Sequence, residues 1–482
     1  MANFTKLLST ILLAVACAST ATAASLPAVK RSTTHGVHLV GRNSELKLET
    51  YHPASSFETF GAAGLDHPLA KRDGFDLVEA TTEFVKSKLG IDSDSLRFHT
   101  GYSGAVSKNA FVKQQKYRVI PVWKQDYDDG FETLTDPENL KTSPNGWLNG
   151  TETSGNNVLV YAGPNGNTTT TSESSPGKFI YTEDDTQDPT TAENRAAATT
   201  NGFYVVNAVH DIAYLYGFTE AAFNFQDDNF GKGGEGGDRV TFNAQASGNV
   251  ENADFSTPPD GQSGHMNVYF WTNPLPARNG ALSNDIVVHE MTHGITNRMT
   301  GGGTARCLQT QEAKGMGEGW SDAFAEWTEQ TAAHLDYVVA PWAENKPGGI
   351  RTYPYSTNKT TNPLTYASVA NLTEPHFIGQ YWANLWHNVH AALIDEHGFA
   401  DDYLSNPDAD GGNVMFGHIF IDALPIQPCN PTFQTGRDAI IQADANRYNG
   451  TNKCLLWKVY ASRGLGVNAQ NYTNDATVPD GC

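Results

Sequence analysis

Asp285–Met299 reads DIVVHEMTHGITNRM, and the spacing of its polar residues decides what the rest of the chain has to build around it. Residues four apart stack on one face of a helix. His289 and His293 therefore present two imidazoles to one ion, while Glu290 points toward that ion's open side. Ser283, Asn284 and Asp285 are cap formers just before the run, an acidic residue suits the positive helix start, and Gly301-Gly302-Gly303 ends the pattern. The spacing predicts a helix carrying a catalytic zinc site. The alternative is a surface helix whose histidines align by chance.

A catalytic zinc needs a third protein ligand and one position left for water, and a carboxylate commonly supplies it. Downstream stands Gly315-Met-Gly-Glu318-Gly-Trp320-Ser321-Asp322, followed by the helix-like Ala323–Trp327. Glu318 comes 25 residues after His293 (318 − 293), far enough for the chain to turn and lay a second helix beside the first. Asp322 is one helical turn further, where it can accept the other N–H of a ligating histidine and fix its tautomer. Taken singly, Glu318 also suits a solvated helix start, and Asp322 a charge favoured by the helix dipole.

The run from Asp285 to Asp322 resembles fungalysin, a family of secreted fungal metalloendopeptidases related to thermolysin. Three further stretches carry the same resemblance: Tyr51–Phe60 to the family's propeptide, Asn207–Tyr214 to its N-terminal lobe, and Gln427–Phe433 to its C-terminal domain. The resemblance implies one zinc ion per chain on His289, His293 and Glu318, with Glu290 as the catalytic carboxylate. His376 resembles a histidine that stabilises the transition-state oxyanion in related peptidases, and a structural histidine is the alternative there. Asn252 and Ala253 resemble the segment with which thermolysin-type peptidases hold an extended substrate along a sheet edge, although an ordinary turn reads the same.

The chain has 482 residues, 39% of them hydrophobic, with 53 acidic against 32 basic side chains and a formal charge of −21. Such an acid excess disfavours nucleic acid and anionic membranes as partners. Lys6, the apolar stretch Leu7–Cys17 and the small residues Ala21-Thr22-Ala23 form a signal-peptide pattern over 1–23, too short in its apolar part to span a bilayer. A secreted, extracellular monomer acting on polypeptides is expected.

Residues 24–116 read as a propeptide that would act as inhibitor and folding aid. Lys30-Arg31 and Lys71-Arg72 are candidate processing pairs, and Phe75–Leu89 has helical spacing. The resemblance implies a second, sheet-forming part of the propeptide. Phe111–Gln115 instead runs almost directly into Lys116–Pro121, so the propeptide reads as shortened.

The fold class expected is α+β, with a β-rich lobe over 117–280, a mainly helical lobe over 281–482 and the zinc cleft between them. Tyr117–Trp123, Asn157–Tyr161 and Arg239–Phe242 read as strands, and Glu193–Tyr216 as one long helix whose His210 and Asp211 read as structural. Thr373-Glu374-Pro375 makes a helix start before an aromatic stripe expected to be core, and Arg437–Asp444 reads as another helix. Gly231–Gly237 lacks a phosphate-loop ending, and Asp408–Asn413 does not fit an EF-hand.

Without Cys17 the chain keeps Cys307, Cys429, Cys454 and Cys482, which allow three pairings; the short intervening loop favours Cys429 with Cys454. Sequons at Asn149, Asn167, Asn358, Asn371, Asn449 and Asn471 fit glycosylation during secretion. Two rivals stay open on sequence. A zinc aminopeptidase would need acidic groups to hold a free amine, and its Gly-x-Met-Glu-Asn segment is absent; a secreted binding protein with a closed structural zinc site would have no use for Glu290.

Overall fold

The computed structural model describes residues 35–40, 46–51, 115–163 and 169–482. The signal peptide, the two basic pairs, the Phe75–Leu89 helix and the sequon at Asn167 lie outside the described residues. Backbone contacts divide the chain into two units, Met1–Gln114 and Gln115–Cys482. In the first, β1 (His35–Val40) and β2 (Leu46–Tyr51) form an antiparallel hairpin.

The second unit begins with short strands. β3 (Lys116–Val119) lies between β4 (Glu132–Thr135), antiparallel to it, and β6 (Lys178–Phe179), parallel to it. A second sheet runs in the order β5 (Val158–Tyr161), β7 (Val240–Asn243), β9 (His265–Val268), β8 (Ala253–Ser256), with β8 antiparallel at the edge. A two-stranded ribbon, β10 (Phe270–Trp271) with β11 (Arg278–Asn279), forms a separate sheet. The helix α1 (Ala192–Tyr216) packs on these strands and is buried almost all round. Thr191 caps its start by accepting from the Asn194 N–H, and Gly217, at φ 127°, ends it in a conformation open to glycine.

The rest is helical: α2 (Asn284–Met299), α3 (Gln311–Glu329), the single turn α4 (Pro341–Glu344), α5 (Pro375–His397), α6 (Gly412–Ile426), α7 (Phe433–Tyr448) and α8 (Lys453–Ser462). The expected α+β class, strand-rich region first and helices after, is what the structure has. Among the described residues no helix is long and apolar enough to cross a membrane.

Buried polar side chains pin α2 at both ends. At its start Asn284 Nδ2 donates to the carbonyls of Ile120, Pro121 and Lys124 at 2.9–3.1 Å, while Asn201 of α1 bridges the Asn284 side chain and the Ile120 N–H. Asp285 accepts from Gln125 Nε2 and from the Ala340 N–H. At the far end the buried Arg298 pairs with Asp238 and Asp260 and lies over the Phe225 ring. An Arg with no exposed surface is tolerated only when its charge and N–H groups are matched, and here they are.

Helices α3 and α5 meet through glycines. A Cβ on Gly319 would sit 2.6 Å from the Gly379 carbonyl oxygen and 2.9 Å from the Ala383 nitrogen; one on Gly379 would sit 2.6 Å from Glu318 Cβ. The aromatic stripe of α5 is core as expected: Trp382 and Trp386 pack against Trp320 of α3.

The disulfides correct the sequence expectation. Cys307 pairs with Cys429 and Cys454 with Cys482. A short loop favours a pairing only if nothing else brings cysteines together. Here the Asn430 N–H donates to the Cys307 carbonyl and Asn430 Oδ1 accepts from the Gln309 N–H, so Cys429 is delivered to Cys307 across 122 residues.

Gly319→Ala weighs two effects. The helix gains about 1 kcal/mol of propensity, but overpacking against backbone that cannot swing aside costs about 1–3 kcal/mol. The expected result is a net loss of stability, read as a lower midpoint in urea; a gain would show that α3 and α5 can separate without penalty.

Candidate metal centre

His289 and His293 lie one turn apart on α2, and Glu318 faces them from α3. His289 Nε2 is 3.2 Å from Glu318 Oε2, His293 Nε2 is 3.5 Å from it, and the two Nε2 atoms are 3.1 Å apart. Metal bonds of about 2.0–2.1 Å at tetrahedral angles place ligand atoms about 3.3–3.4 Å from one another. The triangle thus has the size a small divalent cation requires. Glu318 Oε2 is buried and makes no hydrogen bond among the described residues, an arrangement that a cation would satisfy.

The electrostatics agree with the geometry. Burial alone would raise the Glu318 pKa, but the His293 and His289 imidazoles outweigh it and hold the carboxyl well below its usual range. Burial would likewise lower His289; the Asp322 hydrogen bond and charge, with Glu318 and Glu290, instead hold it up at about 10. A field that retains a proton so firmly also attracts a divalent cation, which would bind with release of that proton.

His289 Nδ1 lies 2.7 Å from Asp322 Oδ1, so the ring is aimed from behind and donates to the carboxylate. Asp322 is itself held by Arg351, whose Nε and Nη2 each donate at 2.8 Å, and by the Tyr355 hydroxyl. Burial opposes the Asp322 charge, but Arg351 and His289 overcome that and keep it ionised far below the ordinary carboxylate range.

Glu290, five per cent exposed, leaves Oε2 buried with no hydrogen-bond partner among the described residues. Burial pushes its carboxyl up, partly offset by His289 and His293. The cleft beside it holds about 440 Å³ and is lined by Asn252, Ala253, His289, Glu290, Arg351 and His376, among others. Asn252 and Ala253 stand at the head of β8, the edge strand of its sheet. His376, in the first turn of α5, has Nε2 3.3 Å from Glu318 Oε2 and Nδ1 2.5 Å from Glu374 Oε1.

The structure therefore brings together all eight residues singled out in the sequence. Three partners escaped that reading: Arg351, Tyr355, and Glu374 in its contact with His376. Arg351 and Tyr355 come from an irregular connection with neither periodicity nor motif. Glu374 was legible only as a helix cap. His210 and Asp211 lie elsewhere: His210 touches Gln226 and Asp211, which accepts from Ser143, Trp147 and the Asn139 N–H. Arg437 is buried against the Leu465 and Gly466 carbonyls, over the Trp457 ring.

Two helices supplying a His-x-x-x-His pair and a carboxylate, beside a free carboxylate in a cleft, define a site of the metallopeptidase kind. The family profile described as Fungalysin metallopeptidase (M36) matches residues 116–469, and the chain belongs to that family. Extracellular metalloproteinase 2 of Arthroderma gypseum is 42% identical over 395 residues, covering 77% of this chain and 62% of that protein. Extracellular metalloproteinase MEP of Pyricularia oryzae is 43% identical over 355 residues, 70% of this chain and 56% of that one. The chain spans about three fifths of the length of these curated relatives. A precursor of protealysin, a metalloproteinase from Serratia proteamaculans, aligns at TM-score 0.38 and 16% identity over 66% of this chain and 91% of that one, too distant to carry an argument.

Asp322→Asn keeps the shape but removes the charge behind His289. Metal retention is expected to fall about 10–100-fold, measured by titration against a graded series of chelators. Retention equal to the parent chain would show that Asp322 serves packing alone.

Proposed function

We propose that this chain is a secreted, zinc-dependent endopeptidase that hydrolyses internal peptide bonds of extracellular polypeptides. One observation carries the reading: three ligand atoms at tetrahedral spacing lie beside a buried, unpartnered Glu290, in a cleft flanked by a sheet edge. The relatives' names, extracellular metalloproteinases, support both the compartment and the reaction class.

His289, His293 and Glu318 would hold one zinc ion. Bound there, zinc supplies Lewis acidity toward a water and the scissile carbonyl. Glu290 Oε2, free of other partners, takes the water's proton and passes it to the leaving amine. Asp322, itself fixed by Arg351 and Tyr355, holds the His289 ring in the tautomer that leaves Nε2 free. His376 donates from Nε2 to the oxyanion that forms on the former carbonyl, its orientation set by Glu374 at Nδ1. Asn252 and Ala253 line up an extended substrate along β8, whose outer side faces no strand among the described residues. In the same reading residues 1–23 are a signal peptide and 24–116 a propeptide that restrains the enzyme.

Digestion of casein by the secreted product tests the reaction. Internal cleavage is expected, lost with a zinc chelator and restored by added zinc. Glu290→Gln should lower turnover about 10²–10⁴-fold while retaining metal. Release of N-terminal residues alone would replace the endopeptidase with an exopeptidase, and undiminished cleavage by the variant would remove Glu290 from the mechanism.

His376→Ala should reduce kcat about 10²–10³-fold with KM little changed and metal content intact. Unaltered kcat would leave His376 a structural residue.

A further inference from the structure

The helix pair that carries Glu318 and His376 carries a second constellation further along. Glu326 lies eight residues beyond Glu318 on α3, about 12 Å at 1.5 Å per residue. His387 lies eleven residues beyond His376 on α5, and His334 reaches in from the connection that follows α3. One ligand atom from each of Glu326, His334 and His387 lies within 4.8 Å of the others.

The hydrogen bonds leave lone pairs stranded at this place. His387 Nδ1 is 2.5 Å from Glu326 Oε1, which also accepts from Gln330 Nε2 at 2.8 Å. Glu326 Oε2, on a residue two per cent exposed, has no hydrogen-bond partner among the described residues. His334 Nε2 donates to the His387 carbonyl at 3.0 Å, which fixes the tautomer and leaves Nδ1 as an acceptor; that atom is buried and unpartnered too. A third imidazole, His390, stands with its ring centroid 4.9 Å from that of His334, and its Nε2 is likewise buried without a partner. A buried polar atom left unsatisfied is costly, and two of these, Glu326 Oε2 and His334 Nδ1, belong to residues whose ligand atoms gather at one spot.

We propose that Glu326, His334 and His387 bind a second zinc ion, independent of the catalytic reading. Two imidazoles and a carboxylate are a donor set that zinc accepts, and Glu326 Oε2 and His334 Nδ1 are orphaned atoms that such an ion would satisfy. Its role is structural. His334 adopts a left-handed backbone, φ 42°, in the turn leading to Tyr337–Ala340. That segment supplies Val339 to the cleft and the Ala340 N–H to Asp285 at the start of α2. An ion joining His334 to α3 and α5 would fix the connection between the two places.

Zinc content of the purified full chain, measured by plasma mass spectrometry, tests the site. Two ions per chain are expected in the parent, one in His293→Ala, one in His334→Ala and none in the double variant, with circular dichroism confirming that each is folded. His334→Ala should keep casein turnover within twofold and melt at a lower temperature. One ion in the parent and none in folded His293→Ala would overturn the proposal, whatever the casein assay shows. Should His334→Ala not fold, cobalt loaded into His293→Ala decides: visible absorption bands of a bound ion support the site, and their absence overturns it.

Discussion

Glycine at the crossing of α3 and α5 is the constraint on which the rest of the site depends. With Gly319 and Gly379 facing each other, the two backbones approach more closely than any side chain would allow. That approach brings Glu318 of one helix to within 3.3 Å of His376 of the other. A helix carrying large residues at its contact keeps its neighbour 8–10 Å away, as measured between axes in typical packings. The glycines also explain why the tryptophans sit where they do. Trp320, Trp382 and Trp386 fill the volume on either side of the narrow seam and convert a close backbone contact into a broad apolar one.

Charge burial sets the second condition. A carboxylate as deeply buried as Asp322 is costly unless its lone pairs are filled, and His289, Arg351 and Tyr355 fill them. The same logic runs along α2, where Asn284 and Asp285 at one end and Arg298 at the other are each matched to backbone or to opposite charge. A helix so anchored cannot slide or rotate by a turn, and the two imidazoles keep their aim. Among the described residues, the buried unpartnered atoms of acid and imidazole groups include those of Glu290, Glu318, Glu326, Glu329, His334 and His390.

How much of this was legible follows from the range of the interactions. His289, His293 and Glu290 are visible because helical periodicity is a local property of the chain. Glu318 and Asp322 are visible because the second helix repeats that periodicity and carries its carboxylates one turn apart. Arg351 and Tyr355 reach Asp322 from 29 and 33 residues away through irregular backbone, and no local rule marks them. The strands of the first lobe were readable, but only as cores: Tyr117–Trp123 forms a strand over just Lys116–Val119, because the Val122 N–H turns aside to Tyr204. The cysteine pairing failed for the opposite reason. Loop length is a statement about the unfolded chain, whereas Cys307 and Cys429 are brought together by contacts of the folded one, the Asn430 hydrogen bonds to Cys307 and Gln309.

The connection from α3 to α4 ties these conditions together. It leaves α3 beside Glu326, turns at His334, and returns to the start of α2 through Ala340. Its first part is packed on α5 through the His334 and His387 rings, 4.4 Å between centroids, and its last part lines the cleft. A displacement at the far end of the helix pair would therefore reach Asp285 through covalent backbone rather than through a chain of soft contacts. Asp285 in turn holds Gln125 and sits four residues before His289, so the aim of the first imidazole is tied to the connection that follows α3. Stiffening that turn, by packing or by an ion, acts on the same geometry that the glycines establish.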